Sequence, residues 1–112
     1  MDERLQKALE FSNYLQTFHN QKNILKEQFL QNIVHYCNGG KFTISRELIA
    51  FCYHRQERSF VLIDDNHDPI YIENLKMFLQ QIEETYMTQV NKYYQELKTL
   101  KSTRTVQGLV DD

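Results

Sequence analysis

Apolar residues recur at helical spacing over the first third of the chain. Residues 3–37 contain no Gly or Pro. Within them, one stripe of apolar residues is spaced by three, four or seven positions: Ala8, Phe11, Leu15, Phe18, Leu25, Phe29 and Tyr36. Because residues three or four apart share one face of a helix, the stripe predicts one long helix that Asp2 caps. A second apolar face near its C-terminal end predicts cover on two sides there: Ile24, Leu30, Ile33, Val34 and Cys37.

Two polar residues interrupt this stripe. Its spacing places Lys22 and Asn32 at inward positions, where polar residues commonly fix register or oligomeric state at some cost in stability. The alternative is that the stripe drifts around the helix and leaves both residues facing solvent.

Short elements are predicted after the first helix. Asn38-Gly39-Gly40 is expected to end that helix, since Gly and Asn readily adopt the left-handed conformation that closes one. Lys41-Phe42-Thr43-Ile44 predicts a short strand. Ser45 is the expected cap of a helix that runs to about Arg55.

A β-hairpin is predicted next. The β-branched and aromatic runs at 60–63 and 70–72 are separated by the polar segment Asp64-Asp65-Asn66-His67-Asp68-Pro69, which is rich in turn-forming residues. A lone hairpin is only marginally stable in water. We therefore expect the predicted strand at 41–44 to join it as a third strand, or a helix to cover one of its faces.

The last third of the chain predicts a second long helix from about Glu73 to Lys101. This segment again lacks Gly and Pro, and its apolar residues keep helical spacing: Leu75, Leu79, Ile82, Tyr86, Val90, Tyr93, Leu97 and Leu100. Residues 102–112 lack periodicity and are expected to form a tail. Docking of this tail on a neighbour through Val106, Leu109 and Val110 is left open by the sequence.

The predicted fold class is α+β, mainly α, with two long antiparallel helices flanking a short insert of strand, helix and β-hairpin. We expect residues 1–101 to form one domain. At 1.5 Å per residue, two helices of this length would each extend about 45 to 50 Å, which the insert alone is too short to cover. The predicted solution is that the helices pair with each other and then with another copy of the chain.

Composition narrows the class of protein. The chain has 112 residues, of which 41% are hydrophobic and 12% aromatic, so disorder throughout is excluded. No apolar run approaches the roughly 20 residues that span a bilayer, and the amino terminus lacks the layout of a secretory signal. We expect a soluble, cytoplasmic protein with no membrane partner, in which Cys37 and Cys52 stay reduced.

Charge gives little support for nucleic-acid binding. The formal net charge is −2, but the C-terminal part is locally basic, with Lys92, Lys98, Lys101 and Arg104 against Glu96. Tyrosines among these bases could stack on nucleotide bases while the cations neutralise phosphates. The best candidates for such contacts, which we expect to be weak if they form, are Lys92, Tyr94, Lys98 and Arg104.

Two patterns suggest metal ligands. His35-x-Cys37 and Cys52-x-His54 carry zinc-type ligands, but residues two apart on a helix point away from each other. Asp64-x-Asn66-x-Asp68 opens like a calcium loop, yet the turn Gly and the bidentate Glu of that motif are replaced by Pro69 and Leu75. We predict no metal, and instead hydrogen bonds that tighten the turn.

No catalytic motif is present in the sequence. It has no Gly-x-Ser-x-Gly elbow, no Gly-rich phosphate loop and no His-Glu-x-x-His. The prediction is a protein that is not an enzyme, with no catalytic residues and no cofactor.

Three segments carry a resemblance to a known group of proteins. The opening MDERLQKALEFSNYL, the junction Asn38-Gly39-Gly40-Lys41-Phe42 and the segment LIDDNHDPIYIENLK together resemble small uncharacterised proteins of T4-like marine phages, particularly cyanophages. The resemblance covers most of the chain. It implies a viral origin and assigns no activity and no catalytic residues.

The predicted function is a non-enzymatic, phage-encoded structural, assembly or accessory protein of the host cytoplasm or the virion. It would act as a homo-oligomer, a dimer or larger, and another phage protein is a possible further partner. The expected oligomer seam consists of residues on both long helices: Phe11, Leu15, Phe18, Leu25, Phe29, Leu79, Ile82, Tyr86 and Tyr93.

Two alternatives remain open. The order long helix, β-hairpin, long helix is similar to the layout of the prefoldin β subunit, which implies a coiled-coil chaperone or holdase. A weak nucleic-acid-binding accessory protein is the other.

Overall fold

The computed structural model describes residues 2–55 and 58–106, with side chains as far as Thr103. Three helices and four strands follow one another along this part of the chain. In order they are α1 (Glu3–Asn32), β1 (Val34–Cys37), β2 (Gly40–Thr43), α2 (Arg46–Tyr53), β3 (Phe60–Ile63), β4 (Pro69–Ile72) and α3 (Leu75–Val106). The fold is therefore α+β and mainly α, with two long helices flanking a short insert, as the sequence predicts.

The chain divides into two compact units. The helical unit contains the residues up to Phe29 and those from Lys92 onward, and the α+β unit contains Leu30–Asn91. Because α1 leaves the helical unit at Phe29 and α3 enters it at Lys92, the two helices run antiparallel there. Each unit has its own packing.

The start of α1 agrees with the prediction. The Asp2 carboxylate accepts a hydrogen bond from the backbone N–H of Arg4 at 3.1 Å, and the Asp2 carbonyl accepts one from the N–H of Gln6 at 3.0 Å. Asp2 thus satisfies amides that the first turn of a helix leaves without intrahelical partners.

The predicted end of the first helix is wrong. The helix stops at Asn32, and Val34–Cys37 form β1, which pairs antiparallel with β2. Asn38 and Gly39 have φ of 50° and 80°, so both central residues of the turn are left-handed, as a two-residue hairpin turn of type I′ requires. Asn38-Gly39 therefore turns a hairpin instead of ending a helix.

The α2 helix begins as predicted. The Ser45 hydroxyl accepts a hydrogen bond from the N–H of Leu48 at 3.0 Å, in the N-cap arrangement. The helix ends at Tyr53, two residues before the predicted end.

The second hairpin is confirmed, and of the two alternatives predicted for it, a third strand or a covering helix, the third strand does not form among the described residues. β3 pairs antiparallel with β4, with Val61 opposite Tyr71 and Ile63 opposite Pro69. The two hairpins remain separate two-stranded sheets. β2 is instead linked to the turn of the second hairpin, where the N–H of Asp65 donates a hydrogen bond to the Lys41 carbonyl at 2.8 Å.

The hairpins and the first turns of α3 enclose the core of the α+β unit. Its buried side chains are Ile33, Phe42, Ile44, Cys52, Leu62, Ile72, Leu75, Phe78, Leu79 and Ile82. Phe78 lies at its centre, with ring centroids 5.2 Å from Phe42 and 5.3 Å from His35, both edge to face. Gly40 permits close approach of the hairpins, since a Cβ there would stand 2.6 Å from Cγ1 of Ile70.

The third helix extends beyond its predicted end. Asn74 caps it by accepting a hydrogen bond from the N–H of Met77 at 3.0 Å, and the helix continues to Val106. The predicted boundary between domain and tail at residue 102 thus lies inside α3. The side chain of Val106 and the residues Leu109 and Val110, predicted to dock on a neighbour, lie outside the described part of the structure.

Candidate interaction surfaces

An aromatic stack holds α1 against α3 in the helical unit. The rings of Phe29 and Tyr93 are 5.0 Å apart between centroids and inclined by 23°. Phe18, Leu25 and Leu97 are half-buried in the same unit. The stack of Phe29 on Tyr93 thus marks a point at which the two helices meet.

Tyr14 is not among the residues predicted for the oligomer seam. It is buried, with 6% of its surface exposed, and its ring stacks on that of Phe11 at 6.5 Å between centroids. The signal was present, because Tyr14, Phe18 and Leu25 follow steps of four and seven residues and so share one face of the helix. Tyr14 is the only buried side chain among the described residues of the helical unit.

Large apolar side chains of this unit remain exposed. Near the start of α1 these are Leu5, Leu9, Phe11 and Leu15, which keep between 36% and 53% of their surface accessible. Phe11 and Leu15 lie four residues apart, beside the face that carries Phe18. The apolar surface of α1 therefore extends beyond what the chain itself covers.

The residues of the predicted oligomer seam occupy three environments. Phe11 and Leu15 are exposed, whereas Phe18, Leu25, Phe29, Tyr86 and Tyr93 are half-buried. Leu79 and Ile82 are 5% and 0% exposed and belong to the core of the α+β unit, to which Phe42 also belongs. Phe11 and Leu15 are thus the seam residues most accessible to a second copy.

Lys22 and Asn32, the two polar residues predicted at inward positions, are both exposed in the single chain. Lys22 follows Phe11 and Leu15 by eleven and seven residues, which places it on the same side of α1. A second copy that covers Phe11 and Leu15 would therefore also approach Lys22.

The second hairpin presents an apolar outer face. Val61, Ile63 and Tyr71 are 50%, 61% and 55% exposed, and Pro69 is exposed as well. Cross-strand pairing places Val61 opposite Tyr71 and Ile63 opposite Pro69, so all four lie on one side of the sheet. None of the motifs in the sequence predicts a binding function for this face.

Asp64 organises the turn of the second hairpin. It is 6% exposed, and its carboxylate accepts hydrogen bonds from the N–H groups of Asp68 at 2.9 Å, Asn66 at 3.0 Å and Lys41 at 3.1 Å. The pKa of Asp64 is lowered, chiefly by the hydrogen bond from the Asp68 amide. The carboxylate is thus engaged by backbone amides, which is the turn-tightening role predicted for this segment.

The four candidate zinc ligands do not converge. His35 and Cys37 lie on a strand, so they share one face, and the prediction that they point apart on a helix is wrong for this pair. Cys52 is fully buried, and burial raises the pKa of its thiol to about 11. His54 is exposed at the end of α2. Within residues 2–55 and 58–106, no three His, Cys, Asp or Glu side chains are grouped to hold a metal ion.

The basic residues of α3 are only partly available. Lys92 lies 3.9 Å from the carboxylate of Glu96, one helical turn away. Lys98 and Tyr94 are exposed, Tyr94 by 60%. The side chain of Arg104 lies outside the described part of the structure.

No protein-family model, curated protein or solved structure matches this chain. Over the described residues, no helix combines the length and the apolar character needed to cross a membrane.

Proposed function

We propose that this protein is a non-enzymatic structural, assembly or accessory protein that acts by forming a homo-oligomer through α1 and α3. The observation that carries the proposal is the sparse core of the helical unit, where Tyr14 is the only buried side chain among the described residues. Fixing each residue of a chain costs about 1–2 kcal/mol of conformational entropy. Full burial of a large apolar side chain returns only about 1.5–3 kcal/mol. One buried side chain therefore cannot offset the entropy that the residues of the helical unit lose on folding.

A second copy of the chain supplies the missing cover. Phe11 and Leu15 are 48% and 36% exposed, and they continue the face on which Phe18 is already half-buried. If the same residues of another copy pack against them, four helical segments enclose one apolar interior, as in a helix bundle. The proposed interface is therefore isologous, with Phe11 and Leu15 at its centre.

Light scattering and sedimentation measure this association directly. At micromolar concentration we expect a mass of at least twice the 13.5 kDa of one chain. The variant Phe11→Ser/Leu15→Ser should weaken association, because it removes apolar area from both sides of the interface. A wild-type protein that sediments as a single chain at this concentration contradicts the proposal.

Ile24 offers a matched control. It is 51% exposed, as Phe11 is, but it follows Leu15 by nine residues, or two and a half helical turns, and lies on the opposite side of α1. Ile24→Ser removes similar exposed apolar area without touching the proposed interface. We expect it to leave the mass unchanged, and equal effects of the two variants would mean that the face is not specific.

A phage origin is part of the proposal and rests on the resemblance of three segments to small proteins of T4-like marine phages: the opening fifteen residues, the junction at 38–42 and Leu62–Lys76. The further partner would then be another phage protein, and the location the host cytoplasm or the virion. Mass spectrometry of purified particles tests whether the virion contains the chain.

A holdase role is the second candidate, because Leu5 and Leu9 are about half-exposed near the start of α1. Exposed apolar side chains near a helix end are what a prefoldin-like chaperone needs to hold an unfolded client. Suppression of the aggregation of a reduced, unfolding test protein by the wild-type chain, and its loss in Leu5→Ser/Leu9→Ser, would favour this function.

A further inference from the structure

We propose that β3 is a second self-association site, independent of the helical interface, in which β3 pairs antiparallel with β3 of another copy around Leu62. The joined hairpins would form one four-stranded sheet in the order β4, β3, β3 and β4. The first observation is that, among the described residues, β4 is the only strand that pairs with β3. One edge of β3 thus has no strand of the described residues beside it.

The register of the hairpin identifies which backbone groups face that edge. In an antiparallel pair, hydrogen-bonded and non-hydrogen-bonded positions alternate. The N–H of Asp64 donates to the carbonyl of Asp68 at 3.0 Å, so the next pair, Ile63 with Pro69, is a non-hydrogen-bonded one. By the same alternation Leu62 bonds to β4, and Val61 does not.

Two further observations agree with this assignment. Pro69 has no N–H, so it fits opposite Ile63 at a position that needs no donor. Tyr71 lies opposite Val61, and its carbonyl accepts a hydrogen bond at 2.8 Å from the Asn38 side chain, away from β3. The N–H and C=O groups of Val61 and Ile63 therefore point out of the hairpin at the open edge.

The exposed side chains belong to the same two residues. Val61 and Ile63 are 50% and 61% exposed. Proteins usually protect an open strand edge with a charged residue, a proline or a bulge, and Phe60–Ile63 has none of these. An edge from which backbone groups and apolar side chains both point outward favours a β-strand as its partner.

A second copy of β3 fits this edge by symmetry. If two strands cross antiparallel at Leu62, Val61 of each copy stands opposite Ile63 of the other. These are the residues whose backbone groups face outward, so both pairs are hydrogen-bonded and all the outward groups of the two residues are satisfied. Opposite residues share a face, which joins the apolar rows of the two outer faces into one.

This interface differs from the one proposed for α1. It involves the α+β unit alone, and it is also isologous. A chain with two different isologous contacts can link copies in succession, so association need not stop at a dimer. The two interfaces can therefore be removed separately.

Val61→Pro is the sharpest single change. It deletes the outward N–H of Val61, which makes no hydrogen bond to β4, so the hairpin keeps its own hydrogen bonds. Symmetry removes two hydrogen bonds per pair of copies, and we expect association through this site to weaken by about tenfold or more. Val61→Thr, which keeps the N–H and the branched shape, is the matched control and should retain association.

Sedimentation separates this site from the helical interface. We expect both Val61→Pro and Phe11→Ser/Leu15→Ser to reduce the wild-type mass to that of a dimer, and the combination of all three changes to give a single chain. If Val61→Pro changes nothing while the helical variant dissociates the protein, this proposal is overturned and the proposed function stands. If Phe11→Ser/Leu15→Ser changes nothing while Val61→Pro dissociates the protein, only the proposed helical interface is overturned.

Two measurements do not depend on how well Val61→Pro folds. Hydrogen exchange of the wild-type chain should show that the Val61 and Ile63 amides become protected as concentration rises.

In a Cys37→Ser background, a mixture of Val61→Cys and Ile63→Cys chains should form disulfides between the two variants, because opposite Cα atoms lie about 5.5 Å apart. Each variant alone places its cysteines about 7–8 Å apart, too far for ready bridging. Concentration-independent exchange, or equal cross-linking of mixed and single variants, contradicts the pairing.

Discussion

The Asp64 carboxylate, at the start of the turn in one hairpin, accepts a hydrogen bond from the backbone N–H of Lys41 in the other, at 3.1 Å. The same carboxylate accepts the N–H groups of Asn66 and Asp68 within its own turn. One side chain thus closes a turn and also links the two separate sheets. These hydrogen bonds connect the two hairpins in place of the backbone hydrogen bonds that a third strand would have formed.

Asp64→Ala should lower the melting temperature more than any other single Asp→Ala change in this turn, since it leaves three backbone donors without their acceptor. Asp64→Asn keeps one acceptor oxygen and should have a smaller effect. Asp68→Ala is the control, because the Asp68 carboxylate is exposed and only its backbone takes part in these bonds. Equal melting temperatures for Asp64→Ala and Asp68→Ala would contradict the role given to Asp64.

His35 should make the protein less stable in mild acid. Its Nε2 is buried without a hydrogen-bond partner, and burial lowers the pKa of the imidazole from its ordinary 6.5. The unfolded chain then binds a proton that the folded chain does not, so this contribution to stability is complete above about pH 6.5 and is lost as pH falls below it.

His35→Phe keeps a ring against Phe78 and removes the titration. We expect denaturant melts of the wild type to shift downward between about pH 6.5 and pH 5, and those of His35→Phe to shift less over this range. The lowered pKa of Asp64 acts in a different window, because its contribution is lost only as pH falls below the ordinary carboxyl value of 3.8. Identical pH profiles for the two proteins would exclude His35 as the cause.

Gly40→Ala should destabilise the protein by about 1–3 kcal/mol, because the added Cβ would stand 2.6 Å from Cγ1 of Ile70. The clash lies between these two residues, so their changes should not be additive. Ile70→Ala alone is expected to cost stability through lost burial. The double variant Gly40→Ala/Ile70→Ala should be more stable than the sum of the single effects predicts, as measured by urea unfolding.

His67→Gly is expected to raise stability by up to about 1 kcal/mol. His67 has φ of 66°, a left-handed conformation that a side chain disfavours and Gly adopts freely. Asn66, its neighbour in the same turn, does not share this conformation, so Asn66→Gly should lower stability through greater freedom of the unfolded chain. Thermal unfolding of the two variants should therefore shift in opposite directions.

Lys22→Leu/Asn32→Leu tests whether the stripe of α1 meets a second copy. Both residues are exposed in the single chain. If Lys22 lies in the interface formed by Phe11 and Leu15, the substitution should raise the melting temperature and broaden the range of oligomeric states, because a polar residue at a seam restricts the allowed alignments. An unaltered melting temperature with lower solubility would place both residues on the solvent face.

The periodicity of the sequence correctly predicts the long helices and the second hairpin. Asp2 and Ser45 form the expected caps because an N-cap needs only a side chain and an amide two or three residues later. Such interactions are local. They are set by residues that are neighbours in sequence, whatever the rest of the chain does.

Residues 34–37 form a strand, although the sequence around them predicts a helix. Their apolar residues fit a helical stripe, and continuing the helix satisfied that pattern. Asn38-Gly39 followed by alternating Phe42 and Ile44 was the stronger signal, because few residues other than Asn and Gly tolerate two successive left-handed positions. The first hairpin is thus encoded by residues that are neighbours in sequence, at its turn.

The sequence by itself determined the elements that local interactions specify: the helical repeats, their caps and the turn residues. Only the tertiary structure decided that Gly40 lies against Ile70, that Asp64 holds β2, and that Tyr14 is buried while Phe11 remains exposed. The reason is physical. Contacts between residues more than twenty positions apart depend on the packing of whole elements, and the free energy of one side chain in such a contact is not set by its neighbours in sequence.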